Sequence, residues 1–503
     1  MKVPDLLANA IARSPGRPCV IADERTLTFG EVDDRAGRLA DALRRLRATD
    51  GARVALLALN EPEYFEIQFA AQRAGVMLVP LNYRLAVPEL QAILADCEPS
   101  VLIYGPQFGA TAAELNVPIA LELGPAYEEV LAGADPRGPQ PLDADAPCTI
   151  LYTSGTTGRA KGAVISNGCL WARVNQFSIE LGISDGDSFL FPIPMFHTSS
   201  SVPYAFTYGG VTVVLPQQFD AARAIELMVH HRTSHAVYVP TMLARVVEEL
   251  ESEPVKLDAL RLIQYGGSPI APEMLRRALR ALGCAFIQGY GLTEAINATV
   301  LRPHEHDPDG RPELLASAGT DTISYETRVV DSDADDRELG PGEVGEIVIR
   351  GPGVMQGYWR SEEDTERALR GGWLHTGDLG YRSADGYLFL TDRLKDVIVS
   401  GGENVYSREV DDVLYAHPGV REAAVIGIPS AQWGESVHAE VVAVPGVELD
   451  PDELIAFCRT RLAGYKTPKS VTVVDELPKN AAGKILKRDV RKRYWQGAER
   501  SIA

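Results

Sequence analysis

Hydrophobic and polar positions alternate in two rhythms along the first 290 residues. Thr28-Phe29-Gly30-Glu31 has the spacing of a capping box, and Val32, Leu39, Leu43 and Leu46 then recur near the helical period, which predicts an amphipathic helix. Apolar runs at 54–59, 76–79, 101–104, 148–152, 211–215, 236–239 and 262–265 read as buried strands, and 62–74 reads as a helix between the first two. Strands alternating with helices predict an α/β fold, with a largely parallel sheet covered by helices. Past residue 320 the rhythm shortens to strands at 326–330, 345–350 and 386–390 separated by Gly-containing turns, a β-rich subdomain. From 397 onward a helix at 408–416, strands at 423–428 and 438–444, a helix at 451–462, a strand at 470–474 and a helix from 487 predict a separate α+β domain. The expected organisation is a large domain over 1–392, including the β-rich part at 320–392, a joint at 393–396 and a small domain over 397–503.

Composition narrows the function classes. The chain has 503 residues, 45% hydrophobic and 23% charged, enough for sizeable cores and unlike a disordered or fibrous chain. Lys plus Arg number 49 against 69 Asp plus Glu, a net charge of −20, which argues against nucleic acid as a partner and makes any anionic ligand depend on a local cationic site. One such excess lies at 461–503, where 11 Lys/Arg face 4 Asp/Glu. The six cysteines are scattered without a CxxC pair, which suits a reduced cytoplasm better than a disulfide frame or a zinc site. Arg13 interrupts the apolar positions of the N-terminal segment, and no later run is long enough to span a bilayer, so a cytoplasmic protein without integral membrane contact is expected.

Three motifs carry chemistry. Thr153-Ser154-Gly155-Thr156-Thr157-Gly158-Arg159-Ala160-Lys161 follows a predicted strand, and its small hydroxyl residues and glycines can fold backbone N–H groups around phosphate oxygens while Arg159 and Lys161 add charge. Its spacing is not that of a Walker loop. In Gln288-Gly289-Tyr290-Gly291-Leu292-Thr293-Glu294 the glycines allow close backbone approach, Tyr290 offers a ring face, Thr293 a donor and Glu294 a hard oxygen ligand for Mg²⁺. In Trp373-Leu374-His375-Thr376-Gly377-Asp378 a turn presents a carboxylate suited to two ribose hydroxyls, although a Gly-Asp pair is also ordinary turn chemistry.

With Asp392-Arg393-Leu394-Lys395-Asp396, Gly401-Gly402-Glu403-Asn404 and Pro478 to Lys484, these motifs stand in the order and spacing of a known family. From about Leu27 to Arg488 the chain resembles the AMP-forming acyl-CoA synthetases of the adenylate-forming superfamily. The resemblance implies ATP and Mg²⁺, with coenzyme A as co-substrate. A carboxylate attacks the α-phosphorus and expels pyrophosphate, and a thiol then displaces AMP. It implies that Ser154 to Lys161 hold the β- and γ-phosphates with Thr153 also at the nucleotide, that Thr293 meets the α-phosphate and that Glu294 binds the metal. Gly267, Ser268 and Pro269 with Gly289, Tyr290 and Gly291 would enclose the adenine, while Asp378 and Arg393 fix the ribose. Lys484, in isolation no more than a solvated lysine, becomes the catalytic cation between carboxylate and α-phosphate. Lys395 becomes the hinge, and Gly401 and Gly402 face the CoA arm. Transfer to a carrier-protein phosphopantetheine is the alternative outcome, and a homodimer is compatible with the family.

Three positions depart from the family pattern: Ala160 and Ser407 stand where proline is common, and Asn167 where histidine is. None removes a catalytic group, and the sequence suggests no chemistry for Ser407. For the acid, the resemblance implies a pocket of His197, Thr198, Ser199, Ser200, Val239 and Gly289. His197 replaces the Asp that amino-acid-activating relatives use, and Gly289 replaces the Arg that pairs with a second carboxylate. A hydrophobic monocarboxylic acid is therefore expected, with Gly289 leaving space; His197 reads as a pocket gate, with a core residue bonded to backbone as the alternative.

Overall fold

The computed structural model describes residues 1–495 except 24, 47, 49–50, 140, 154–159, 198–199, 269, 333, 401–402, 431 and 480–484, and at Lys395 the backbone alone. The α/β class expected from the strand and helix rhythm is the one the chain adopts. A seven-stranded sheet runs in the order Gly357–Tyr358, Lys161–Ser166, Pro147–Thr153, Met77–Pro80, Arg53–Leu57, Val101–Tyr104, Ile119–Glu122. Neighbours are parallel from Pro147–Thr153 outward, whereas Lys161–Ser166 folds back antiparallel after the glycine-rich loop and Gly357–Tyr358 caps that edge. A nine-stranded sheet contains Ala285–Tyr290, Leu262–Gly266, His235–Tyr238, Ser188–Leu190, Thr212–Val214 and Pro18–Ala22 as parallel neighbours, with antiparallel strands at both edges.

Local chemistry accounts for these elements. The capping box forms as read: Thr28 Oγ1 accepts the Glu31 N–H at 3.2 Å and Glu31 Oε2 accepts the Thr28 N–H at 2.7 Å, which starts the helix Phe29–Arg45. That helix buries Val32, Leu39 and Leu43 in one core with Phe65 and Phe69 of Glu63–Ala74. The second helix is buried on every side, so its charged residues need partners. Arg73 pairs with Asp5 at 2.8 Å and Asp33 at 2.7 Å, and Glu66 takes the guanidinium of Arg35.

The β-rich part is a five-stranded antiparallel sheet, Arg337–Glu338, Glu326–Asp331, Gly345–Arg350, Leu374–Arg382, Leu388–Arg393. Its last strand begins later than the expected 386–390 because the Gly386 turn, at φ +90°, takes the first residues. The strand then continues through Arg393 into the expected joint, leaving Leu394–Asp396 as a single helical turn. Beyond it, a hairpin of Val420–Ser430 and Gly434–Ala443 adds Ser470–Val473 in parallel and packs against Ser407–Tyr415 and Pro451–Arg459. Ile398, Val410, Leu414, Val425, Val441 and Leu454 give this part its own core. Among the described residues no helix is long and apolar enough to cross a membrane.

Candidate active site

Tyr290, Asp378 and Arg393 meet at the carboxyl end of the parallel strand Ala285–Tyr290, where open α/β sheets bind ligands. Strand Leu262–Gly266 ends beside Ala285–Tyr290, and the backbones approach so closely that a Cβ at Gly266 would lie 2.4 Å from the Gly289 carbonyl. Gly267 continues at φ +84°, with Val239 Cγ1 3.8 Å from where its Cβ would stand, so the adenine-slot and acyl-pocket candidates adjoin there. A Cβ at Gly291 would meet the Ala295 carbonyl at 2.4 Å, which accounts for the second glycine of the motif.

Asp378 is the centre of the polar arrangement. Its Oδ1 faces Arg393 Nε at 2.9 Å and its Oδ2 accepts the Tyr290 hydroxyl at 3.0 Å. Burial and the adjacent Asp378 charge push the Tyr290 phenol well above its ordinary value, so it stays a donor. The Asp378 charge also raises the Arg393 guanidinium, against burial. A carboxylate has lone pairs left after two such bonds, so Asp378 can accept sugar hydroxyls while its orientation is fixed.

Glu294 is buried, and its Oε1 accepts the Tyr358 hydroxyl at 2.7 Å. The Tyr358 ring also lies 5.3 Å from Lys161 Nζ, which forms an ion pair with Asp364 at 2.6 Å. The segment that caps the sheet edge therefore ties the candidate metal carboxylate to the cation at the end of the phosphate loop. Mg²⁺ takes one or two protein carboxylates and fills its shell with water and phosphate oxygens. One oriented hard-oxygen ligand beside a phosphate loop fits that demand. Behind Thr293 and Glu294 lies Arg173, fully buried, donating to the carbonyls of Thr293 at 3.1 Å, Glu294 at 3.3 Å and Gly353 at 3.0 Å.

The acyl-pocket candidates are less convergent. Among the described residues His197 Nε2 is buried without a hydrogen-bond partner, and burial, with the nearby Arg84 charge, lowers the imidazole to about 4. His197 is thus neutral at pH 7, and its Nε2 is not the backbone-bonded core nitrogen of the second sequence reading. Ser200 lies at the start of the helix Ser201–Tyr208, with its N–H on the His197 carbonyl at 3.0 Å. The expectation that Gly289 leaves open space is overturned: a Cβ there would lie 2.4 Å from Cγ and Oδ1 of Asn297 and 2.5 Å from its Nδ2, so the Asn297 carboxamide fills that volume. The glycine is required for the asparagine to fit.

Ser154, Gly155, Thr156, Thr157, Gly158, Thr198, Ser199, Pro269, Gly401, Gly402 and Lys484 lie outside the described residues, as does the side chain of Lys395. Thr153 pairs with Lys161 at the mouth of the phosphate loop. Two departures from the family pattern now have a physical role. Asn167 accepts from Gln72 at 3.0 Å and donates to the Asp143 carbonyl at 3.0 Å. Ser407 gives both its N–H and its hydroxyl to Asp392, on the far side of the expected joint, and its oxygen accepts from the half-buried Lys487 at 2.6 Å. A proline could supply neither donor. Arg173, Asn297, Tyr358 and Asp364 were not found from the sequence; only Tyr358, beside a glycine that favours close approach, carries a local signal.

Comparison with known proteins agrees with this geometry. The AMP-binding enzyme family matches residues 7–359, and the AMP-binding enzyme C-terminal domain matches 409–484. A feruloyl-CoA synthase from Amycolatopsis sp is 41% identical over 485 residues, 96% of each chain. A fatty acid–[acyl-carrier-protein] ligase, ScoC, from Streptomyces coeruleorubidus is 38% identical over 97% of this chain and 95% of its own. Among solved structures, o-succinylbenzoate CoA synthetase from Bacillus subtilis, in complex with its acyl-adenylate intermediate, is similar with a TM-score of 0.88 and 32% identity over 100% of both chains. The chain belongs to the AMP-binding enzyme family, as an adenylate-forming acyl-CoA synthetase. The fold expected from the sequence is that of this family.

Proposed function

We propose that the protein activates a hydrophobic monocarboxylic acid, aliphatic, alicyclic or aromatic, as its acyl-adenylate and transfers the acyl group to coenzyme A. The observation that carries this reading is Asp378 clamped between Tyr290 and Arg393, with the Glu294–Tyr358–Lys161 chain beside it. Asp378 and Arg393 would hold the ribose, Gly267 and Tyr290 the base, and Lys161 with the phosphate loop the β- and γ-phosphates. Glu294 would hold Mg²⁺, which supplies charge neutralisation to the polyphosphate when bound. In the first step a carboxylate oxygen bonds to the α-phosphorus as the bond to pyrophosphate breaks. In the second, the CoA sulfur, having lost its proton, bonds to the acyl carbon and AMP departs with the electron pair of the broken C–O bond. Alignment and charge stabilisation supply most of the acceleration in such chemistry. Lys484 would neutralise the approaching anions in the first step, and rotation at Lys395, between 1–392 and 397–503, would exchange it for the Gly401-Gly402 face in the second.

A neutral His197 and a carboxamide at Asn297 support an uncharged acyl body, as do relatives named for feruloyl and fatty acyl groups. The carrier-protein relative supports phosphopantetheine as the alternative acceptor. An acid panel following CoA-dependent AMP formation, with direct mass measurement of the thioester and a parallel arm containing a phosphopantetheinylated carrier protein, tests both readings. Absence of acid-dependent AMP formation with any monocarboxylate would overturn the proposal. Lys484→Ala should abolish ATP–pyrophosphate exchange yet spare thioester formation from supplied acyl-adenylate; equal loss of both half-reactions would remove Lys484 from the first step.

A further inference from the structure

Below Asp378 lies a partly buried polar cluster, centred on the buried Glu346, that none of the roles above uses. Strand Leu374–Arg382 pairs with Gly345–Arg350 through Val348↔His375 and Glu346↔Leu379, so Thr376, Gly377 and Asp378 all lie opposite Ile347. Asp378 follows this bulge while staying paired with Arg393 on its other edge, and bulges commonly re-aim side chains beside functional sites. Gly377 sits within it at φ +68°, a conformation that favours glycine. Three hydrogen bonds hold the bulge: Thr376 Oγ1 to the Ile347 carbonyl at 2.6 Å, the Asp378 N–H to Thr376 Oγ1 at 3.0 Å, and the Gly377 N–H to Glu346 Oε1 at 3.0 Å.

Glu346 is the member of this set that comes from the neighbouring strand with a side chain, and it is itself fixed from several directions. Its Oε2 faces His375 Nδ1 at 2.8 Å, accepts the Ser332 hydroxyl at 2.7 Å and lies 3.3 Å from Arg370 Nη2. Arg370 also pairs with Asp336 at 3.2 Å, and His375 Nε2 lies 3.5 Å from the same carboxylate. Arg370 supplies the cation between the two carboxylates. Burial alone would raise the Glu346 carboxyl, but the hydrogen bonds from His375, Ser332 and the Gly377 N–H outweigh it and hold the group at about 2.

We propose that Glu346 is a positioning residue for nucleotide recognition: anchored by His375, Ser332 and Arg370, its carboxylate pins the Gly377 peptide and so sets the direction in which Asp378 meets the ribose. The proposal rests on the reading of Asp378 as the ribose anchor. A glutamine at 346 has the same shape but turns an amide N–H₂ toward donors, either the His375, Ser332 and Arg370 set or the Gly377 N–H, so one side of the arrangement fails.

The test is ATP–pyrophosphate exchange with ATP, 2′-deoxy-ATP and 3′-deoxy-ATP, measured on the full chain, Glu346→Gln, Ser332→Ala and Asp378→Asn, with thermal melting of each. Glu346→Gln should raise the ATP KM about tenfold, the order expected for losing a charge-assisted bond. It should also narrow the ratio of kcat/KM for ATP over the deoxy substrates, with the KM for the acid unchanged. Ser332→Ala removes one support only and should move the ratio the same way by a smaller factor, about twofold, which keeps the test open where the glutamine variant fails to fold. A folded Glu346→Gln whose melting temperature falls while the ATP/deoxy ratio stays parental would overturn the proposal, as would an unchanged ratio in Ser332→Ala. Should Asp378→Asn also leave the ratio unchanged, the ribose reading falls first and takes the positioning role with it.

Discussion

Gly289→Ala adds one methyl group at a point where the structure has no room for it. The new carbon would lie 2.4 to 2.5 Å from three atoms of the Asn297 carboxamide, about an ångström inside the separation at which heavy atoms attract. Asn297 cannot retreat as a whole. Its backbone sits at φ +49°, and its carbonyl accepts from Gln176 Nε2 at 2.5 Å and Thr322 Oγ1 at 3.3 Å. The carboxamide must rotate away within a fixed frame, and overpacking of this kind costs about 1–3 kcal/mol. At 1.4 kcal/mol per factor of ten, that corresponds to a loss of about 5- to 150-fold, divided between stability and acid-dependent exchange. The assay is a double-mutant cycle of Gly289→Ala, Asn297→Ala and the pair, read by denaturant unfolding and by ATP–pyrophosphate exchange across an acid panel. Removing the carboxamide should restore most of what the methyl removes, giving a coupling comparable to the single-variant cost. A Gly289→Ala protein with parental stability and acid ranking would refute the argument. So would a pair no better than Gly289→Ala alone, since the clash would then lie elsewhere.

Two further outcomes follow from buried groups. Arg173→Met keeps much of the side-chain volume but strips the donors from the carbonyls of Thr293, Glu294 and Gly353. Unfolding free energy should fall by about 2–4 kcal/mol and the apparent Mg²⁺ requirement should rise; a variant with parental Mg²⁺ dependence would show that Arg173 does not steady Glu294. His197 titrates near 4 in the fold against an ordinary 6.5, so the unfolded chain binds the extra proton and stability drains as pH falls from 6.5 through 4, by up to about 3 kcal/mol. His197→Gln should flatten that part of the stability curve, measured by urea unfolding at pH 7 and pH 5, and parallel curves would refute the buried neutral imidazole.

The parts of the molecule legible in the sequence were those encoded over short distances. The run 101–104 is a strand to the residue, and the Thr28–Glu31 box starts its helix because both hydrogen bonds lie within four consecutive positions. The meeting of Tyr290, Asp378 and Arg393 is expected only through the family resemblance, and the three side chains do come together. What escaped was long-range. Arg173 looks like one more polar position on the helix Asn167–Glu180, and only the approach of Thr293 and Gly353 makes it a support. Tyr358 lies 64 positions from Glu294, and Asp364 lies 203 from Lys161, separations at which no periodicity carries information. The misjudged space at Gly289 has the same origin, because a missing side chain shows where volume is available but not which neighbour fills it. Ser407 was opaque because its partner Asp392 belongs to the strand before the joint.

The ion pair of Lys161 with Asp364 bears on turnover as well as on binding. This cation has a counterion at 2.6 Å, with the Tyr358 ring against it. A polyphosphate that recruits Lys161 must therefore win it by exchange, and the affinity gained is the difference between two anions competing for one ammonium group rather than the full attraction of either. If Lys161 holds the phosphates as proposed, the same competition would run in reverse when pyrophosphate leaves. Asp364 would then take the lysine back, so on that reading the departing polyanion would not strand an unpaired charge at the sheet edge. A resident carboxylate of this kind weakens capture modestly and eases release, which favours a cycle over a trap.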